Sequence, residues 1–222
     1  MISPAANFRE QVTFKAAPNQ WAAERDTIER QFDEDLAFLR QLARQDDRND
    51  FKRDTLLPRY LPEVARYLAA GKVYQHRIFV QCIVWLFDTE QLGQALDYTH
   101  IAVMQGQTSP FRRPMEVFAA DVVFAWAERQ FAARQSIDPY FAVVLTRLTH
   151  DWRLPEPLCA RYYKLAALHI LAKEDPSMVP SAIDNASALQ TAQKLLEMAQ
   201  QQYSKIGVKT LIGRISMRLN AL

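Results

Sequence analysis

The sequence predicts an all-α protein of about eight helices in one continuous helical array. Three observations carry this. Apolar residues recur at three- and four-residue spacing along most of the chain, and no stretch alternates apolar and polar residues for long. Glycine is scarce, with five in 222 residues, which argues against β-sandwiches, barrels and Gly-rich phosphate loops. The prolines stand where such helices start or break, as at Pro62, Pro114 and Pro139.

Composition fits this class and narrows the function. Hydrophobic residues make up 49% and charged residues 23%, which is ordinary globular composition and leaves length for one large domain or two small ones. A net charge of +2 is too small for the whole chain to read as a nucleic-acid binder, so local charge has to carry that argument. The two cysteines, Cys82 and Cys159, lie in apolar helical patterns and read as reduced core thiols of a cytosolic protein. The N-terminus has neither the basic nor the apolar region of a signal peptide. The longest apolar run, residues 78–87 interrupted by Gln81, is far short of the roughly 20 residues that span a bilayer.

Taken in order, residues 1–19 read as an arm. Residues 20–48 then predict one long helix with Ile28, Phe32, Leu36, Leu39 and Ala43 on one face. Between Glu24 and Asp50 it carries nine acidic and five basic residues, so this face will not hold DNA phosphates; it is core or an oligomerisation seam. Residues 46–54 are polar and end the segment. Pro62 suits the first turn of the next helix and Gly71 the position just past its end. Residues 73–87 predict a helix apolar nearly all round, hence buried on most sides. Asp88-Thr89 reads as the cap of a helix carrying Leu92, Ala95, Leu96, Thr99 and Val103 inward and ending near Gly106.

Residues 105–114 are a loop with Phe111-Arg112-Arg113 near its tip. Pro114 opens a helix to about Arg134 with Val117, Phe118, Val122, Ala125 and Trp126 as its apolar face. Asp138-Pro139 reads as cap and first residue of a helix reaching Thr149. After the break at Leu154-Pro155-Glu156-Pro157 come helices over 158–173 and 181–204, a loose match to a tetratricopeptide-like hairpin without a second copy at fixed period. The end, 208–222, is amphipathic: Val208, Leu211, Ile212, Ile215, Leu219 and Leu222 line one face, with Lys205, Lys209, Arg214 and Arg218 around it and no acid after Glu197. That stripe must bury itself, on its own domain or on another chain. The expected organisation is therefore an arm and long helix (1–50), a central core (51–153), a hairpin (154–206) and a basic amphipathic helix (207–222).

No P-loop, dinucleotide fingerprint, H-E-x-x-H or C-x-x-C occurs. A metal site from His150 and His169 is conceivable, but surface or capped histidines explain them more simply. A nuclease needs carboxylates converging on Mg²⁺; Asp88 with Glu90, or Asp97 with Asp121, are candidates that helix capping and solvated faces explain equally well. The basic clusters are Lys52/Arg53/Arg59, Lys72/His76/Arg77, Arg112/Arg113 and the C-terminal four. Each is small, so one copy would bind DNA weakly and an oligomer aligning many copies far better. No helix-turn-helix stands out: of the helices flanking Gly71, the second is too apolar to lie in a groove.

One combination of residues is specific. Leu56, Leu57, Pro58, Leu61, Pro62 and Val64, then Gly71-Lys72, Ile78, Trp85, Asp88-Thr89, Leu92 and Ala95-Leu96, resemble the small terminase subunit of P-two-like tailed phages, a family described as the terminase endonuclease subunit. A weaker likeness continues through the 110–114 loop and returns at Gly207-Val208-Lys209, Ile212 and Arg214. The chain departs from the family in ending at Leu222 without a long Lys/Arg/Pro-rich tail.

The resemblance implies a protein that recognises the packaging (cos) site on concatemeric viral double-stranded DNA, forms a homo-oligomer such as a ring, and regulates a large ATPase-nuclease subunit. It would act in the host bacterial cytoplasm, at no membrane, and be absent from the mature virion. The DNA-binding candidates are Arg112, Arg113, Lys52, Arg53, Arg59, Lys72 and Arg77. The partner-binding candidates are Val208, Leu211, Ile212, Ile215, Arg218 and Leu219. No cofactor is expected, with Mg²⁺ entering only if the subunit itself cuts DNA. That nuclease reading and a protein-binding helical-repeat scaffold are the two alternatives.

Overall fold

The computed structural model describes the backbone from Pro18 onward and side chains from Asp26. Most of the expected arm therefore lies outside the described residues. Those residues form helices joined by turns, with no strand among them. The helices are α1 (Pro18–Gln41), α2 (Gln45–Phe51), α3 (Leu57–Ala69), α4 (Arg77–Asp88), α5 (Leu92–Met104), α6 (Met115–Ala132), α7 (Tyr140–His150), α8 (Glu156–Glu174), α9 (Ala186–Gln202) and α10 (Lys209–Leu219). A π-helical turn, Lys52–Leu56, fuses α2 to α3. The described chain thus has nine helical rods, and it divides into two compact units, the first ending at Arg66 and the second spanning Tyr67–Leu222.

The first unit differs from expectation in three places. The long helix stops at Gln41, so Ala43 lies in the break before α2. The polar stretch 46–54 is helical instead of ending a segment. Pro62 is not at a helix start but inside α3. Proline has no N–H, and its ring clashes with the carbonyl four residues back. The wide turn at 52–56, closed by the Leu57 N–H to the Lys52 carbonyl, gives the Pro58 ring room and lets the rod run on.

α1 is joined to α3 by a small buried group. Asp35 is only 7% exposed; it accepts from the Arg59 guanidinium at 2.5 Å and the Tyr60 hydroxyl at 2.6 Å. Phe32 packs edge-on against the Tyr60 ring at 5.2 Å. Burial, then the Asp35 hydrogen bond, pushes the Tyr60 phenol well up, so it stays a donor.

The second unit is built around α4. Its residues Ile78, Phe79, Val80, Cys82, Ile83, Val84, Trp85, Leu86 and Phe87 are all buried, each contributing about 1.5–3 kcal/mol of apolar burial before entropy. The helix starts at Arg77, later than residue 73, because His76 is its N-cap: Nδ1 accepts the Phe79 N–H at 3.0 Å. Gly71 ends α3 as expected, with φ +63°, the left-handed region open to glycine.

Asp88-Thr89 does not cap α5. Thr89 instead donates back to the Trp85 carbonyl at 2.8 Å, and Gln91 precedes α5 without a side-chain cap. α6 buries Met115, Phe118, Ala119, Ala120, Val123, Phe124 and Ala127. Only Phe118 of the expected face is among them, since a helix apolar on most sides gives periodicity little to discriminate. In the same way Ala102, not Val103, is the buried residue near the end of α5. α7 begins one residue later than expected, with Pro139 as its N-cap.

Consecutive helices from α4 to α10 pack on their neighbours. At the junction of α6, α7 and α8, the Tyr162 ring stacks on Phe141 at 5.1 Å and meets Phe124 at 5.2 Å. Its buried hydroxyl donates to the Ala120 carbonyl at 2.7 Å. Cys82 and Cys159 are both free and buried, and burial raises both thiols. No described helix is long and apolar enough to cross a membrane.

α8 and α9 pack against each other as a helical pair, with nothing that marks it as tetratricopeptide-like; α9 starts at Ala186, after a short 3₁₀ turn at Pro180–Ala182, with Asn185 as N-cap through the Ala188 N–H at 3.1 Å. The apolar stripe of the last helix closes this hairpin. Val208 and Ile215 are fully covered with Leu171, Ile183, Leu189 and Leu196, and Leu211, Ile212 and Leu219 pack at the margin.

Two outcomes follow for stability. Asp35→Asn leaves Arg59 and Tyr60 without their acceptor charge and is expected to cost about 1–3 kcal/mol in urea unfolding, less than a fully buried pair because Arg59 is half exposed. Ile215→Ala opens the hairpin core and is expected to cost about 2–4 kcal/mol by the same measurement; a surface docking residue would be near neutral.

Candidate nucleic-acid interface

The seven basic candidates fare differently. Lys52 is buried at 6% exposure, with Nζ donating to Asn49 Oδ1 at 3.4 Å. Arg53 is held by Asp50 at 2.6 Å and Asp54 at 3.0 Å, and Arg59 by Asp35. Arg53 and Arg59 are thus already compensated by acids of their own unit, and Lys52 is buried.

The other four lie in the second unit, on two segments that the fold stitches together. The extended stretch between Gly71 and α4 runs beside the turn after α5. Gln75 Nε2 donates to the Gly106 carbonyl at 2.9 Å, and its Oε1 accepts the Thr108 N–H at 2.8 Å. Gln107 reciprocates: Oε1 accepts the His76 N–H at 2.8 Å, and Nε2 donates to the Tyr74 carbonyl at 2.7 Å. The Tyr67 hydroxyl sits at the centre, donating to Gln105 Oε1 at 2.7 Å and accepting from Gln107 Nε2 at 2.8 Å. Its ring contacts His76 at 4.3 Å, Tyr74 at 4.9 Å and Phe79 at 5.8 Å. Gly106, at φ +63°, makes the reversal that brings Gln107 back.

The stitched pair presents positive charge and apolar surface together. Lys72, Val73, Tyr74 and Arg77 are exposed on one segment; Phe111, Arg112 and Arg113 are exposed on the other. Phe111 packs on Phe118 at 4.6 Å, which anchors the loop tip to α6. Arg113 pairs with Asp121 and lies over the Phe118 ring at 5.3 Å, so its guanidinium is oriented and half compensated. Arg112 has no partner among the described residues. Sequence reasoning named these four cations but not Tyr67, Gln75, Gln105 or Gln107, because glutamines meeting across some thirty residues leave no local pattern.

The nuclease candidates do not converge. No three His, Cys, Asp or Glu side chains gather among the described residues. Asp121 is engaged by Arg113 and Glu90 by Arg129 at 3.1 Å. His150 Nδ1 is 2.8 Å from the Thr146 carbonyl. His169 faces Asp138 at 3.7 Å, with burial lowering its pKa. The partner-binding candidates on the last helix face their own hairpin, as described above, and Arg218 is likewise engaged there, donating to the Ile183 carbonyl at 3.0 Å and pairing with Asp184.

Comparison with known proteins places this architecture. The family described as phage small terminase subunit matches residues 30–157, a span that contains both stitched segments. The chain is 34% identical over 215 residues to the probable terminase endonuclease subunit of Haemophilus phage HP1 (strain HP1c1), covering 96% of this chain and 76% of that protein. It is 30% identical over 171 residues to the terminase endonuclease subunit of Escherichia phage P2, covering 76% of this chain and 64% of that one. No solved structure matches it. A family match over more than half of the chain, together with these relatives, shows that the chain belongs to the phage small terminase subunit family, whose members act in viral DNA packaging.

Proposed function

We propose that this subunit binds the packaging site of concatemeric viral double-stranded DNA through the stitched face, assembles with further copies of itself, and brings in the large ATPase-nuclease subunit, all in the host cytoplasm. The observation that carries the reading is the joining of Lys72 and Arg77 to the Arg112/Arg113 loop by the Tyr67–Gln75–Gln107 network. Four cations on a partly aromatic surface suit phosphate contacts that fix register. One copy supplies few charges, so assembly is what makes the binding strong. Lys52, Arg53 and Arg59 lie in the first unit, where Lys52 is buried and the two arginines are paired with acids, and they carry no part of this reading.

A second reading, that the subunit cuts DNA itself, is favoured by the names of both relatives, each a terminase endonuclease subunit. It makes a distinct demand: Mg²⁺-dependent nicking of cos DNA by the purified subunit, lost in Asp88→Asn or Asp121→Asn.

On the DNA-binding reading, Lys72→Ala with Arg112→Ala weakens binding to cos DNA. It also flattens the plot of log K against log salt by about 0.9 for each phosphate contact removed. An unchanged slope in an anisotropy titration would discard this face. Gln107→Leu keeps every charge but releases the two segments. It is expected to speed amide exchange at His76, whose N–H it frees, and to lower DNA affinity while leaving the salt slope intact.

A further inference from the structure

The outward side of α10 and the turn before α9 form a groove of about 460 Å³ lined by Val179, Pro180, Ser181, Arg214, Met217, Arg218 and Ala221. Its apolar walls are open: Met217 is 66% and Val179 46% exposed. Arg218 is already paired with Asp184. Arg214 is exposed and has no carboxylate partner among the described residues. The groove therefore offers a largely apolar trough lined in part by one guanidinium, Arg214, that has no acid partner among the described residues, in a region with no acid after Glu197.

The complementary surface is present in the same sequence, on the other unit. α1 is acidic, and its exposed face carries Phe38, 47% exposed. One helical turn earlier stands Glu34, which is also exposed and shares that face at i, i+4. Phe38 is backed by Phe51 at 4.9 Å, so it stands as a supported knob. Aromatic knobs in apolar pockets with a charge pair at the edge are the anchors of protein interfaces.

We propose that the Glu34/Phe38 face of α1 in one copy docks in the Arg214/Met217/Val179 groove of a second copy. Phe38 enters the trough and Glu34 meets Arg214. The two surfaces differ, so the contact is head-to-tail. Repeated, it closes a ring if the rotation closes and extends a chain if it does not. The inference rests on the reading that the subunit self-assembles and specifies the contact through which it does so.

The test uses the full chain and native mass spectrometry over a range of concentrations, with circular dichroism confirming that the exposed-site variants fold. Glu34→Arg and Arg214→Glu each place like charges together and are expected to weaken assembly at least about tenfold. The double variant Glu34→Arg/Arg214→Glu restores the pair in reversed sense and is expected to recover the wild-type oligomer. Phe38→Ser weakens assembly without rescue. Wild-type assembly unaffected by the single variants, or not restored by the double, overturns this contact while leaving self-assembly standing. A wild-type chain that stays monomeric at every concentration overturns both.

Discussion

The second unit depends on enclosing one helix. α4 has no polar face: from Ile78 to Phe87 every residue but Gln81 is buried. A helix of that kind can only exist with neighbours on most sides, and α5 and α6 follow from that demand. Its open end is equally constrained, because the first N–H groups of a buried helix need acceptors. His76 supplies one, and to do so it must be held with its ring aimed down the helix. The Tyr67 ring packs against the imidazole and Gln107 takes the His76 backbone N–H. The requirement to finish the core helix is thus what draws the Gly71–His76 stretch and the turn after α5 together.

The face proposed to bind DNA is a consequence of that closure. Lys72 and Arg77 flank the cap, and the loop that supplies Gln107 continues to Arg112 and Arg113. No loop is held there for its own sake; the same hydrogen bonds that satisfy the helix end also fix the spacing of the cations. On the proposed reading, this links stability and binding through a small polar network, so that a change leaving the charges in place would still alter DNA binding by loosening the frame.

Much of the fold was legible in the sequence. Periodicity and scarce glycine gave the all-α class, Gly71 and Gly106 marked helix ends, and the apolar run marked the central helix. What was missed has physical reasons. Pro62 read as a helix start because proline inside a helix is costly, yet it lies within α3. His76 is an unusual cap, and Thr89 spends its hydroxyl on the helix behind it. The face of α6 could not be phased because the helix is apolar on most sides. Among the site residues, charge alone could not distinguish Lys52, buried, or Arg59, paired with an acid 24 positions away, from Lys72 and Arg112. The C-terminal stripe was seen correctly as needing cover, but only packing shows that the hairpin supplies it, leaving Arg214 and Met217 outward.

The central claim is that two segments more than thirty residues apart form one DNA-binding face. Hydrogen–deuterium exchange of the full chain with and without cos DNA tests it most directly. The account predicts joint protection of residues 72–77 and 105–114, with the acidic helix α1 unchanged. Protection that falls on α1, or on only one of the two segments, would contradict it.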